Sequence, residues 1–157
     1  MTSFVIFIKQ GSNAMSAENT TSKGTWKFSL ESETVLPEQM SARLKTRASR
    51  IWYKGDPIHP SKLTTKTNGW TYSIGPFDPG DASVMLSRLL SALFSDAAAI
   101  KDLVRSGQVA GYICYSIYLL ENGHFPVTVK PSELAQLSQM GISLDFDLNV
   151  YAADAES

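Results

Sequence analysis

The chain has 157 residues and 14 Lys plus Arg against 15 Asp plus Glu, a formal net charge of -1. Hydrophobic residues make up 43% of it, and the ten glycines bring the apolar share to about half, a folded domain's composition rather than a disordered segment's. The length fits one domain with its own core, and a single cysteine, Cys114, excludes an internal disulfide. No apolar run approaches the ~18 to 20 residues of a membrane span, so the expectation is a cytoplasmic protein with no membrane partner.

Residues 1–14 read as a vector-derived lead. Phe4 to Ile8 is too short for the apolar stretch of a signal peptide and has no basic segment before it. Gly11, Ser12, Asn13, Ala14 and Met15 look like a cloning scar ahead of a native initiator, with a native N-terminal strand as the alternative. Either way Phe4 to Ile8 is uncharged, β-prone and free of proline, so it should seek a sheet edge or another chain and offers a route to oligomers. Residues 15–25 have little to bury and read as a flexible linker, and 152–157 as a frayed tail.

The domain proper is expected at 26–151. Trp26, Phe28 and Leu30 alternate with Lys27, Ser29 and Glu31, the period of a strand with one buried face. Pro37 opens a short helix to about Lys45, with Leu36, Met40 and Leu44 on one stripe. Arg50 to Tyr53 is a second strand ended by the Lys54-Gly55-Asp56-Pro57 turn, and Pro57, His59 and Pro60 make a loop. Trp70, Tyr72 and Ile74 alternate in a third strand that pairs with the second and stops at Gly75-Pro76.

Asp81 is placed to cap a helix carrying Leu86, Leu89, Leu90 and Leu93. Ser95 or Asp96 restarts helix through Ile100 and Leu103, with Gly107 ending it in the left-handed conformation. Val109 to Leu120 is apolar on both alternating sets, as in a strand covered on both faces or lying centrally. Asn122-Gly123 turns into an edge strand, His124 to Lys130, weakened by Pro126. Pro131 to Gly141 is a last short helix. Leu144, Phe146, Leu148 and Val150 then alternate with Asp145, Asp147 and Asn149 in a final strand. The sum is an α+β domain: an antiparallel or mixed sheet of five to six strands with helices mainly on one face.

Two stretches carry a family resemblance. Arg50-Ile51-Trp52-Tyr53-Lys54-Gly55-Asp56-Pro57 with Asn68-Gly69-Trp70, and Ser132-Glu133-Leu134 through Leu144-Asp145-Phe146-Asp147, resemble the DUF4279 family of uncharacterised, mostly bacterial proteins. The resemblance spans about Lys27 to Tyr151, though Lys45-Thr46-Arg47 departs from the family's usual step after the first helix. It implies a fold of this kind and no established activity.

No catalytic constellation emerges, and no cofactor or metal is expected. Cys114 reads as a small buried hydrophobe, His59 and His124 as surface residues, and Asp56 with His59 lacks further ligands at metal spacing. Asp145 and Asp147 project from one strand face roughly 7 Å apart and form a carboxylate pair, the only basis for an enzyme or metal reading. The blander account is a solvated face whose charges discourage edge pairing.

Charge distribution says more. Between Pro37 and Lys66 lie seven basic residues against Glu38 and Asp56, whereas Pro131 to Ser157 holds five acidic residues and no Lys or Arg. Arg47, Arg50, Trp52, Lys54, His59 and Trp70 are therefore the candidate binding residues. A protein-binding module is the leading expectation, with an immunity-type protein that blocks a toxin as the version to test first. The alternative is phosphate or single-stranded nucleic-acid binding through the basic and aromatic segment 43–72.

Overall fold

The computed structural model describes residues 4–10, 21–120 and 125–151. In chain order the elements are β1 (Phe4–Gln10), β2 (Lys23–Ser32), α1 (Pro37–Ser41), β3 (Arg50–Trp52), β4 (Asn68–Phe77), α2 (Ala82–Leu93), α3 (Ala97–Arg105), β5 (Ala110–Leu120), α4 (Pro131–Met140) and β6 (Ser143–Tyr151). The strands form one mixed sheet in the order β1-β6-β5-β2-β4-β3. β5, β2, β4 and β3 each run antiparallel to the next, while β6 runs parallel to both β5 and β1. The expected α+β class holds, with helices on one face.

Strand alternation builds the core. Trp26, Phe28 and Leu30 lie opposite Ile74, Tyr72 and Trp70 on β4 and opposite Tyr115, Ile113 and Gly111 on β5. These residues face the helices, and Trp26, Phe28, Leu30, Trp70 and Ile113 are all fully buried. Leu86, Leu89, Leu90 and Leu93 meet them from α2, Ile100 and Leu103 from α3, and Leu137 and Met140 from α4. Counted with its 3-10 turns, Pro79–Arg105 is 27 residues long and contains an 18-residue window of mean hydropathy 1.4, enough by length and composition to cross a membrane. That corrects the sequence-based expectation of no such stretch. In this fold its leucine stripe closes the core.

Two core polar atoms, Trp70 Nε1 and Tyr115 Oη, have no hydrogen-bond partner among the described residues. Burial pushes the Tyr115 hydroxyl up to about 12, with the Asp78 charge adding to it. Tyr115→Phe removes a buried hydroxyl that makes no bond and keeps the ring stacked on Trp26 at 4.5 Å. The melting temperature should hold or rise, by up to about 1 kcal/mol of stability, and a loss on thermal unfolding would contradict this account of the core.

Several expectations are corrected. α1 ends at Ser41, not near Lys45, because the Lys45 and Thr46 N–H groups donate to the Asp96 carboxylate at 2.7 and 2.9 Å instead of to helix carbonyls. β4 runs through Gly75-Pro76 to Phe77: Gly75 takes φ 132°, open to glycine, opposite the register shift between Gly24 and Trp26. Asp81 makes no side-chain cap; Asp78 does, accepting from Gly80 N at 2.8 Å. β2 starts at Lys23, inside the expected linker.

The strand expected at His124 to Lys130 is absent from the described part, 125–130, and His124 lies outside the described residues. Pro126 has no donor for a ladder, and Phe125, Val127 and Val129 pack against the core as an extended crossover to α4. Thr128 N donates to Ser83 Oγ at 2.9 Å, tying that crossover to α2. β5 is central, as expected, but covered on one face only. β1 does take a sheet edge, as its composition suggested, pairing with β6 over seven residues. β6 therefore has a neighbour on each side, β1 and β5.

Candidate functional site

The six candidate binding residues separate into three places. Trp70 is in the core, fully buried and edge-on to Phe28 at 5.9 Å, so it is no surface group. Tyr72 shares that covered face. Arg47, Lys54 and His59 are exposed along the β3 edge and its loop, and Arg50 and Trp52 point to the sheet face that bears no helices.

The basic edge is shaped by one buried carboxylate. Asp96 is 2% exposed and sits between α2 and α3, where it accepts from two consecutive backbone N–H groups, those of Lys45 and Thr46. Burial alone would raise its pKa, but bonds from Thr46 and Lys45 and the Lys45 charge prevail, and it lies below the usual carboxylate range. The segment so pinned lines a shallow groove of about 450 Å3 with Lys45, Arg47, Ala48, Arg50 and Ile51 among its walls.

β3 continues into a hydrogen-bonded hairpin rather than a loose loop. Tyr53 N donates to Asp56 Oδ2 at 2.8 Å, Gly55 takes φ 95°, and Gly55 N and Thr65 N bond across to Thr65 O and Asp56 O. Ile58 N donates to Leu63 O at 2.9 Å near the tip. Asp56 is thus a turn residue, and His59 stands exposed at the tip. Among the described residues no three His, Cys, Asp or Glu side chains gather as metal ligands. Lys54 reaches Glu33 at 3.7 Å, an exposed ion pair of little energetic weight.

Of the eight large hydrophobic side chains exposed among the described residues, five lie here: Leu36, Ile51, Tyr53, Ile58 and Leu63, the last 69% exposed. Seven Lys and Arg share the segment with two carboxylates. Both carboxylates are engaged locally, Glu38 by the Tyr53 hydroxyl and Asp56 by the Tyr53 N–H.

The helix-free face is polar. Ser29 opposes Thr71 and Tyr112, Lys27 opposes Ser73 and Cys114, and Cys114 opposes Asp145. A hollow of about 340 Å3 opens there between Lys27, Glu31, Arg50, Trp52, Thr71 and Tyr112. The Trp52 ring covers Gly69 so closely that a Cβ on Gly69 would fall 1.9 Å from it. Gly69→Ala should therefore expel the indole: its fluorescence shifts to the red while the buried Trp26 and Trp70 are unaffected. An unshifted spectrum would contradict that contact.

Asp145 and Asp147 share this face with Cys114 and Ser116, on the far side of β5 from the cations. Burial raises the Asp145 carboxyl, partly offset by a hydrogen bond from Ser143. Cys114 is half-buried rather than buried, and its thiol is raised by burial, against a Ser116 hydrogen bond, with Asp147 and Asp145 adding. A thiol held protonated is a poor nucleophile.

Sequence reasoning missed Lys27, Glu31 and Tyr112, although the alternation that put Trp26, Phe28 and Leu30 inward already put Lys27, Ser29 and Glu31 outward. It also missed Ile58 and Leu63, for which exposure is a tertiary fact. No curated protein matches the chain, and no solved structure does. A family model described as a domain of unknown function, DUF4279, matches residues 20–151, from just before β2 to the end of β6, and the chain belongs to that family.

Proposed function

We propose that this chain is a protein-binding module whose docking surface is the β3 edge with its hairpin, and that its partner is acidic with apolar residues to set against Ile58 and Leu63. The observation that carries this reading is the gathering of exposed apolar side chains among cations whose neighbouring carboxylates are already engaged. Burying one such side chain is worth about 1.5 to 3 kcal/mol, and the cations speed encounter with an acidic surface. An immunity-type protein, one that blocks a toxin, is the first version of this class to examine.

The nucleic-acid alternative has less in its favour, because Trp70 and Tyr72 lie on the covered face and leave Trp52 as the one tryptophan open to a base. The test is capture from the source organism's lysate on the full chain, beside Leu63→Asp and Arg47→Glu. The expected result is one acidic protein, retained as a stoichiometric complex when re-expressed and lost with either variant. Recovery of nucleic acid alone, or a protein held equally by all three chains, would overturn the reading.

A further inference from the structure

The hollow on the helix-free face shares Arg50 with the β3 edge and adds Lys27, Ser29 and Thr71, which the protein-docking surface does not use. Arg50, Thr71 and Ser29 lie in one cross-strand row, and Lys27 lies two residues along β2 from Ser29. With strands ~4.8 Å apart and ~3.3 Å per residue, the two long cationic side chains start on either side of the Ser29 and Thr71 pair. Among the described residues neither Lys27 nor Arg50 is held in an ion pair.

The hollow's one carboxylate, Glu31, is occupied: it accepts from Tyr112 Oη at 2.5 Å and from Thr67 Oγ1 at 3.2 Å. The floor is Ser29 and Thr71, both buried residues, whose hydroxyls bond to each other at 2.8 Å. Ser29 is also hydrogen-bonded to the Tyr112 hydroxyl, so the floor is a connected row of hydroxyls from Thr71 through Ser29 to Tyr112. The wall is Trp52, whose indole covers Gly69 and is half-exposed. Two cations outside any ion pair, a polar hydroxyl floor and a flat aromatic wall describe a receptor for a flat anion. The volume of about 340 Å3 suits a single ring with one charged group.

We propose that this hollow binds a small organic anion in which an aromatic ring carries a carboxylate or a phosphate. Arg50 and Lys27 hold the anionic group over the Ser29 and Thr71 hydroxyls, and the ring lies against Trp52. The site shares Arg50 with the docking edge but rests otherwise on Lys27, Ser29, Thr71 and Trp52, while the docking reading is tested at Leu63 and Arg47, so either can fail alone.

Intrinsic fluorescence provides the test, because Trp26 and Trp70 are fully buried and Trp52 is the half-exposed indole. The full chain is titrated with phenyl phosphate and with benzoate, then with inorganic phosphate and benzyl alcohol as partial probes. At least one aromatic anion should quench saturably, about tenfold more tightly than inorganic phosphate or benzyl alcohol; which one wins says whether the natural group is phosphate or carboxylate. Arg50→Gln and Lys27→Gln should each weaken binding about tenfold, and Trp52→Leu, followed by calorimetry, should do the same. All three side chains are on the surface, and circular dichroism checks that each variant is folded. No saturable binding of either aromatic anion, equal affinity for inorganic phosphate, or affinity unchanged in Arg50→Gln and Lys27→Gln would overturn the proposal.

Discussion

Trp26→Ala should cost about 3 to 5 kcal/mol, the largest effect of any single substitution considered, measured by urea unfolding followed by circular dichroism. Trp26 is fully buried at the centre of β2, stacks on Tyr115 at 4.5 Å, meets Phe146 edge-on at 6.3 Å, and donates from Nε1 to Ala82 O at 2.8 Å. It therefore joins three strands to the start of α2. Domains of this size have only about 5 to 15 kcal/mol in total, so the variant should be partly unfolded at 37 °C. Trp26→Phe keeps a ring and loses the hydrogen bond, and should lose about 1 to 2 kcal/mol. A cost below about 1 kcal/mol for the alanine variant would mean that the centre of the core lies elsewhere.

Asp96→Ala should cost about 2 to 3 kcal/mol, because two backbone N–H groups lose a charged acceptor that the surrounding structure cannot replace. The diagnostic readout is local: amide exchange at Lys45 and Thr46 should accelerate while the β2 and β5 ladders stay protected. The pH dependence follows from the sign of the shift. The Asp96 carboxyl is lowered in the folded state, so its contribution is fully present above the ordinary carboxylate range and is lost as pH falls through the lower, folded-state value. Asp96→Asn should flatten stability in that acid window and leave a smaller deficit at neutral pH. Because Arg47 follows the two pinned residues, the same variants should weaken partner binding. Unchanged exchange at Lys45 and Thr46 would contradict the role given to Asp96.

These two residues also show what the sequence could and could not disclose. Trp26 was legible: strict alternation along β2 marks it as inward, and the same rule located the β4 aromatics and the α2 leucines. The Arg50 strand and its pairing with β4 followed from the turn and the flanking β-prone residues. Asp96 read only as a helix start, and its actual partners lie 50 and 51 residues away. Such a contact leaves no local periodicity, and it is what shortened α1. Trp70 was misjudged because aromatic character near basic residues says nothing about which sheet face a residue takes. Its register opposite Leu30 decides that. The stretch 125–130 has strand-like alternation but packs its apolar residues against the core without a ladder, a distinction that Pro126 hinted at and only tertiary packing resolves.

For the docking surface itself, loss of charge and loss of apolar contact must act on the same complex. The most direct measurement is the dissociation constant of the reconstituted complex for the native chain, Leu63→Asp and Arg47→Glu, across a range of salt concentration. Leu63 is 69% exposed, so its replacement leaves the fold intact. The β3-edge account predicts that each variant weakens binding at least about tenfold. It also predicts that the salt dependence is steep for the native chain and shallower for Arg47→Glu. Equal affinity across all three proteins, with the same response to salt, would contradict it.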